Sequence, residues 1–135
     1  MTVRSAALPV LKGVVAKLNA ATIANTPVIR SGAWETTVFP SLLVDTGDTE
    51  AELAFDGNGE HVTVACHCWS QDADTEVYQI MDGVKVALDE QTLTLDYGEF
   101  SHCRYQDSVG ALRDPDGITF HGVISFQVRV DQLQA

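Results

Sequence analysis

The sequence predicts an α+β fold, a single domain in which two helices pack on one face of a mostly antiparallel sheet. Two segments repeat their apolar residues at helical spacing, several others alternate at strand spacing, and the segments follow in the order helix, strands, helix, strands. The chain has 135 residues, 45% of them hydrophobic and 20% charged, which is the length and balance of one globular unit spanning residues 1–135. A unit of that size buries roughly two-thirds of the surface its unfolded chain exposes, so it needs no metal or disulfide to fold.

The first helix is expected from about Ser5 to Ala20, where Leu8, Leu11, Val14, Val15 and Leu18 fall on one face. Pro9 is tolerable only near its first turn. A loop through Asn25, Thr26 and Pro27 leads to an apolar run, Val38 to Val44, which reads as an edge strand interrupted at Pro40. The stretch from Asp45 to Glu60 then reads as an exposed connection around Ala-Glu-Leu-Ala-Phe, with a hairpin signal at Asp56-Gly57-Asn58-Gly59.

Strand alternation is clear from His61 to Trp69: Val62, Val64, Cys66 and Cys68 share one face, and His61, Thr63, Ala65, His67 and Trp69 share the other. Ser70 or Asp72 can cap a second helix running to about Leu88, whose stripe is Val77, Ile80, Met81, Val84, Ala87 and Leu88. Three more strands are expected, at Thr92–Tyr97, about Phe100–Val109 and Ile118–Val130. The last two join at Asp114-Pro115-Asp116-Gly117, with Pro at the second turn position and Gly where positive φ is needed. In the final strand Ile118, Phe120, Gly122, Ile124, Phe126, Val128 and Val130 share the core side, opposite Thr119, His121, Val123, Ser125, Gln127 and Arg129.

No hydrophobic run is long enough to span a membrane, and the N-terminus lacks a secretory pattern, so assembly in the cytoplasm is expected. Cys66, Cys68 and Cys103 are an odd set, best read as reduced thiols. Cys66-x-Cys68 lies within a strand and lacks the turn spacing of a zinc site, which favours small buried hydrophobes over metal ligands. His102 and Cys103 are strand neighbours that face opposite ways, which leaves only Cys103 with His121 as a conceivable thiol pair. The serines lack a nucleophile-elbow setting, the glycines lack a phosphate loop, and Asp45, Asp48 and Glu50 do not complete a calcium-binding loop. The sequence therefore points to no enzyme, no cofactor and no metal.

Charge is concentrated. Net charge is -11, and between Ser31 and Val84 there are 11 acidic residues with no Lys or Arg. That segment would repel a phosphate backbone, which disfavours nucleic-acid binding.

Several motifs coincide with a known pattern. Val62-x-Val64-x-Cys66-x-Cys68-Trp69-Ser70 precedes a helix ending Val84-x-x-Ala87-Leu88-Asp89, and Leu93-x-Leu95 follows. Further on come Arg104-Tyr105-Gln106, Asp114-Pro115-Asp116-Gly117 and Thr119-Phe120-His121-Gly122-Val123-x-x-Phe126. Over about its last 75 residues the sequence resembles the small tail-completion family of long-tailed phages and gene transfer agents, which includes tail terminator proteins. The first half departs from it at Phe39-Pro40-Ser41-Leu42 and in its acidity.

The resemblance implies a structural subunit with no catalytic residues. It would form a homo-oligomeric ring, usually a hexamer, on the last ring of tail-tube protein. There it would stop polymerisation at the head–tail junction and offer a surface to a head connector or stopper protein while DNA passes through. A head-side connector, a minor tail protein and a small-ligand domain using Trp34 or Trp69 are the alternatives. Within the ring reading, Asp45, Asp48, Glu50, Glu52 and Asp56 are expected to line the lumen or to meet a complementary partner.

Overall fold

The computed structural model describes residues 5–23, 28–30, 39–54 and 57–131. Two helices, α1 (Ala7–Ala21) and α2 (Asp74–Leu88), accompany β1 (Val28–Arg30), β2 (Ser41–Ala54), β3 (Gly57–Ser70), β4 (Glu99–Arg113) and β5 (Phe120–Asp131). The strands form one sheet in the order β1-β2-β3-β5-β4. Every pairing is antiparallel except β1 with β2. The α+β class and the mostly antiparallel sheet are as the sequence predicts.

Both helices cover the same side of the sheet. Val10, Val14 and Leu18 of α1 and Val77, Ile80, Val84 and Leu88 of α2 are fully buried. They join Leu42, Val44, Val62, Val64, Cys66, Cys68, Ile124, Phe126, Val128 and Val130 in one core. Alternation drives this layering, because every second residue of β3 and β5 turns its apolar side chain toward the helices. Gly122 lets α2 approach closely, since a Cβ there would lie 2.7 Å from Met81 Sδ and 2.8 Å from Val77 Cγ1.

Neither helix start is capped by the side chain of its own N-cap residue. No side chain of its own N-cap serves α1, and Glu60 Oε1 of β3 accepts the Ala6 N–H at 2.6 Å, a carboxylate at the positive end of a helix. The N-cap of α2 is Ala73, which cannot cap. Ser70, one of the two expected caps, organises the lead-in instead: its Oγ accepts the N–H groups of Asp72 and Ala73 and donates to Glu76 Oε1 at 2.7 Å.

Five expectations need correction. The Asp45–Glu60 stretch is no connection: β2 and β3 run through it as a long hairpin in register from Ser41↔Trp69 to Ala54↔Gly57. Turn-rich composition hid the strand because from Gly47 to Ala51 its residues are exposed, so backbone pairing with β3 and not side-chain burial sustains it. Thr92–Tyr97 is not a strand. Its Leu93 and Leu95 alternate because the segment crosses α1, where a Cβ on Gly13 would lie 3.0 Å from Thr94 O, and where Lys12 pairs with Asp96 at 2.6 Å.

The strand expected at Val38 begins only at Ser41, after a cis Phe39–Pro40 bond; Val38 lies outside the described residues. The three-residue β1 went unpredicted, too short to show periodicity. Leu8 is 53% exposed and Ile118 is 60% exposed, so neither joins the core; Pro9 and Val10 turn inward at the start of α1, and Ile118 sits in the turn before β5.

The Asp114–Gly117 turn forms as expected. Gly117 N–H donates to Asp114 O, and Gly117 has φ +77°. Asp116 carboxylate oxygens accept the N–H groups of Ile118 and Thr119 and the Thr119 hydroxyl, which together hold the Asp116 carboxyl below its usual range.

Candidate functional site

With both helices on one side, the other side of the sheet is left without a covering layer among the described residues. This outer face carries His61, Thr63, Ala65, His67 and Trp69 from β3, and His121, Val123, Ser125, Gln127 and Arg129 from β5, all half-buried. From β4 it receives Val109, opposite Val123, and Leu112, opposite His121, which are 52% and 62% exposed. Exposed aliphatic side chains beside half-buried aromatic ones are the composition common at contact surfaces.

Its centre is an aromatic stack. Register places Trp69 opposite His121 and His67 one diagonal step away. The Trp69 and His121 rings lie 4.5 Å apart at 12°, and the His67 and His121 rings 5.3 Å apart at 26°. His67 Nδ1 and His121 Nε2 are 3.1 Å apart, so one donates a hydrogen bond to the other. Burial lowers the pKa of both imidazoles; His121 lowers that of His67 further, while Asp45 opposes the shift at His67 and Asp114 opposes it at His121.

The acidic residues singled out from the sequence are partly brought together here. Asp45 is half-buried and pairs with Ala65, and Glu50 is exposed and pairs with His61, so both belong to the outer face. Asp48 is exposed at the irregularity between Thr46 and Thr49. The Glu52 side chain and all of Asp56 lie outside the described residues, as does Trp34.

The two long edges of the sheet differ in kind. On β4 three outward-facing backbone groups are taken: Tyr105 N–H donates to Asp89 Oδ1 at 2.9 Å, Glu90 N–H donates to Cys103 O at 2.8 Å, and Ala111 N–H donates to Tyr78 Oη at 3.2 Å. These contacts from α2 and its C-terminal turn block strand addition. On β2 the partner strand β1 covers only Leu42–Val44. From Asp45 onward that edge has no strand partner among the described residues, and its acidic side chains deter another strand from adding.

The chemical candidates are dispersed. Cys66, Cys68 and Cys103 are buried on the helix side. Burial pushes the Cys68 and Cys103 thiols up to about 12 and raises that of Cys66 as well. Cys103 pairs with Val128 and His121 with Leu112, so the conceivable thiol pair sits on opposite faces at different levels of the sheet. Among the described residues no three His, Cys, Asp or Glu side chains converge as a metal site. The apolar sheet face that a ligand pocket would need is filled by the helices, and Trp69 points the other way.

The alternation of β3 and β5 already assigned His67, Trp69 and His121 to the non-core side. That they meet depends on register, which only the folded sheet reveals.

Comparison with known proteins adds a family. The family model described as tail completion protein gp17 matches residues 15–131. A chain from the virion of a native gene transfer agent particle superposes with a TM-score of 0.73 at 19% identity, covering 94% of this chain and 98% of that one. The bacteriophage SPP1 gp17 protein superposes with a TM-score of 0.57 at 20% identity, covering 96% and 94%. At such identities the likeness is one of fold. Comparison with curated proteins returned no match.

Proposed function

The chain belongs to the tail completion protein gp17 family, and from that premise we propose that it is a structural subunit of a ring, a hexamer, that terminates the tail tube of a long-tailed phage or gene transfer agent. The observation that carries the reading is the extent of the family match, which takes in the second half of α1 from Val15, the whole of α2 and every strand. Its role is to present surfaces, not to make or break bonds.

In this reading the ring sits at the head–tail junction, with tail-tube protein on one side and a head connector or stopper on the other. The open sheet face around Trp69, Val109 and Leu112 supplies apolar contact area to a neighbour. The blocked β4 edge restricts subunits to side-chain contacts there, which suits a closed ring better than an edge-to-edge fibre. Asp45, Asp48 and Glu50, with Glu52 and Asp56, line the lumen or meet a complementary surface; like charge keeps passing DNA from sticking.

Mass measurement on the purified protein, with and without tail-tube protein, tests the ring: a hexamer or a tube-capping species is expected. A chain that stays monomeric and leaves tube growth unchanged would refute it. Neutralising Asp45, Asp48, Glu50 and Glu52 together is expected to lower particle assembly or DNA delivery; unchanged values of both would remove the lumen assignment.

A further inference from the structure

The proposed role makes no use of one feature, the hydrogen-bonded imidazole pair of His67 and His121 stacked on Trp69. Across 3.1 Å one ring must offer an N–H and the other a bare nitrogen. A neutral pair meets that requirement, and so does a pair carrying one proton, whose charged donor makes the stronger bond. A second proton puts an N–H on each facing nitrogen and a positive charge on each ring, so the bond cannot survive it. Interacting imidazoles then titrate as a unit in two separate steps.

Burial opposes a charge on either ring, and among the described residues little offsets it, least of all for a second proton. Asp45 of β2 acts on His67 and Asp114 of the β4–β5 turn acts on His121, each a single carboxylate for one ring. Arg113 lies over the Phe120 ring and is occupied there. Neither helix contributes, because both lie behind the sheet.

We propose that the His67–His121 pair is a proton-operated latch in the outer face, holding the Trp69 stack closed while it carries at most one proton and opening it when the second arrives. Where the outer face forms the ring contact, a premise taken from the proposed function, acidification past that second step also opens the ring.

Trp69 reports on the latch directly. In Trp34→Phe protein, which leaves Trp69 as the one tryptophan, emission followed from about pH 8 to about pH 4 should show an acid step below the ordinary imidazole value of about 6.5. Far-UV circular dichroism should stay constant through it. The step should vanish in His67→Gln and in His121→Gln, and persist when His61 and His102 are replaced instead.

A step that survives both Gln variants, or folded protein that shows none, overturns the latch. Should a Gln variant fail to fold, imidazole 15N shifts in the unmodified protein decide: coupled two-step titration of His67 and His121 supports the latch, and two independent titrations overturn it. Light scattering on either side of the step separates the premises. A fluorescence step with no ring at any pH, either alone or with tail-tube protein, refutes the ring and leaves the latch standing; a ring without the step does the reverse.

Discussion

Replacing Gly122 with Ala should destabilise the protein through a single added methyl. The new Cβ would stand 2.7 Å from Met81 Sδ and 2.8 Å from Val77 Cγ1, against the roughly 3.5–4.0 Å at which such atoms rest. Both neighbours are buried, so neither can turn into solvent. Met81 can swing its thioether, but Val77 is β-branched on a helix and held to one rotamer. Part of the overlap must therefore be relieved by moving α2 off β5. Overpacking of this kind costs about 1–3 kcal/mol.

At a mid-range cost of about 2 kcal/mol and about 4 °C per kcal/mol for a domain of this size, thermal unfolding followed by circular dichroism should shift down by about 8 °C. Gly47→Ala is the control, because its Cβ would meet nothing nearer than Thr63 O at 3.7 Å; its effect should stay within about 0.5 kcal/mol. Adding Val77→Ala to Gly122→Ala should cost less than the two single changes combined, because the cavity made by one receives the methyl of the other. Equal stability of the Gly122 and Gly47 variants, or strict additivity in the cycle, would refute the close approach of α2 to β5.

Asp89→Ala should remove the acceptor for Tyr105 N–H and uncover the β4 edge, lowering unfolding free energy in urea by about 1–2 kcal/mol and producing concentration-dependent association in sedimentation runs; a variant that stays monodisperse would show that the edge is guarded otherwise. The buried thiols set an alkaline limit. Cys68 and Cys103 are raised to about 12 and Cys66 is raised too, so the stability they represent is whole below the ordinary thiol value of about 8.5 and is lost as pH climbs from there toward 12. Native protein at about pH 8 should resist thiol alkylation and react only in denaturant; rapid native labelling of any of the three would contradict their burial.

Wherever burial wrote a period into the chain, the fold was legible. The stripe of α2, the alternation of β3 and that of β5 from Phe120 onward were read correctly, because a side chain that must leave water repeats at the pitch of its backbone; Ile118 and Thr119, in the turn before β5, are exposed and buried against expectation. Errors fell where that link breaks. The hairpin arm from Asp45 onward is sustained by main-chain bonds and carries charge, so its composition imitates a loop. Leu93 and Leu95 alternate like a strand but pack on α1, since apolarity marks burial without naming the partner.

From the sequence alone followed the α+β class, the two layers, the Asp114–Gly117 turn, the acidic segment and the motifs of the tail-completion family. All of these are local or additive properties of the chain. The tertiary structure alone decided which strands are neighbours and in what register. Hence it alone set the His67–Trp69–His121 stack, the carboxylate of Glu60 on α1, the approach of α2 at Gly122, and the guarded β4 edge against a β2 edge without a strand partner beyond Val44 among the described residues. Those contacts join residues far apart in the chain, and no periodicity carries information about a partner fifty positions away.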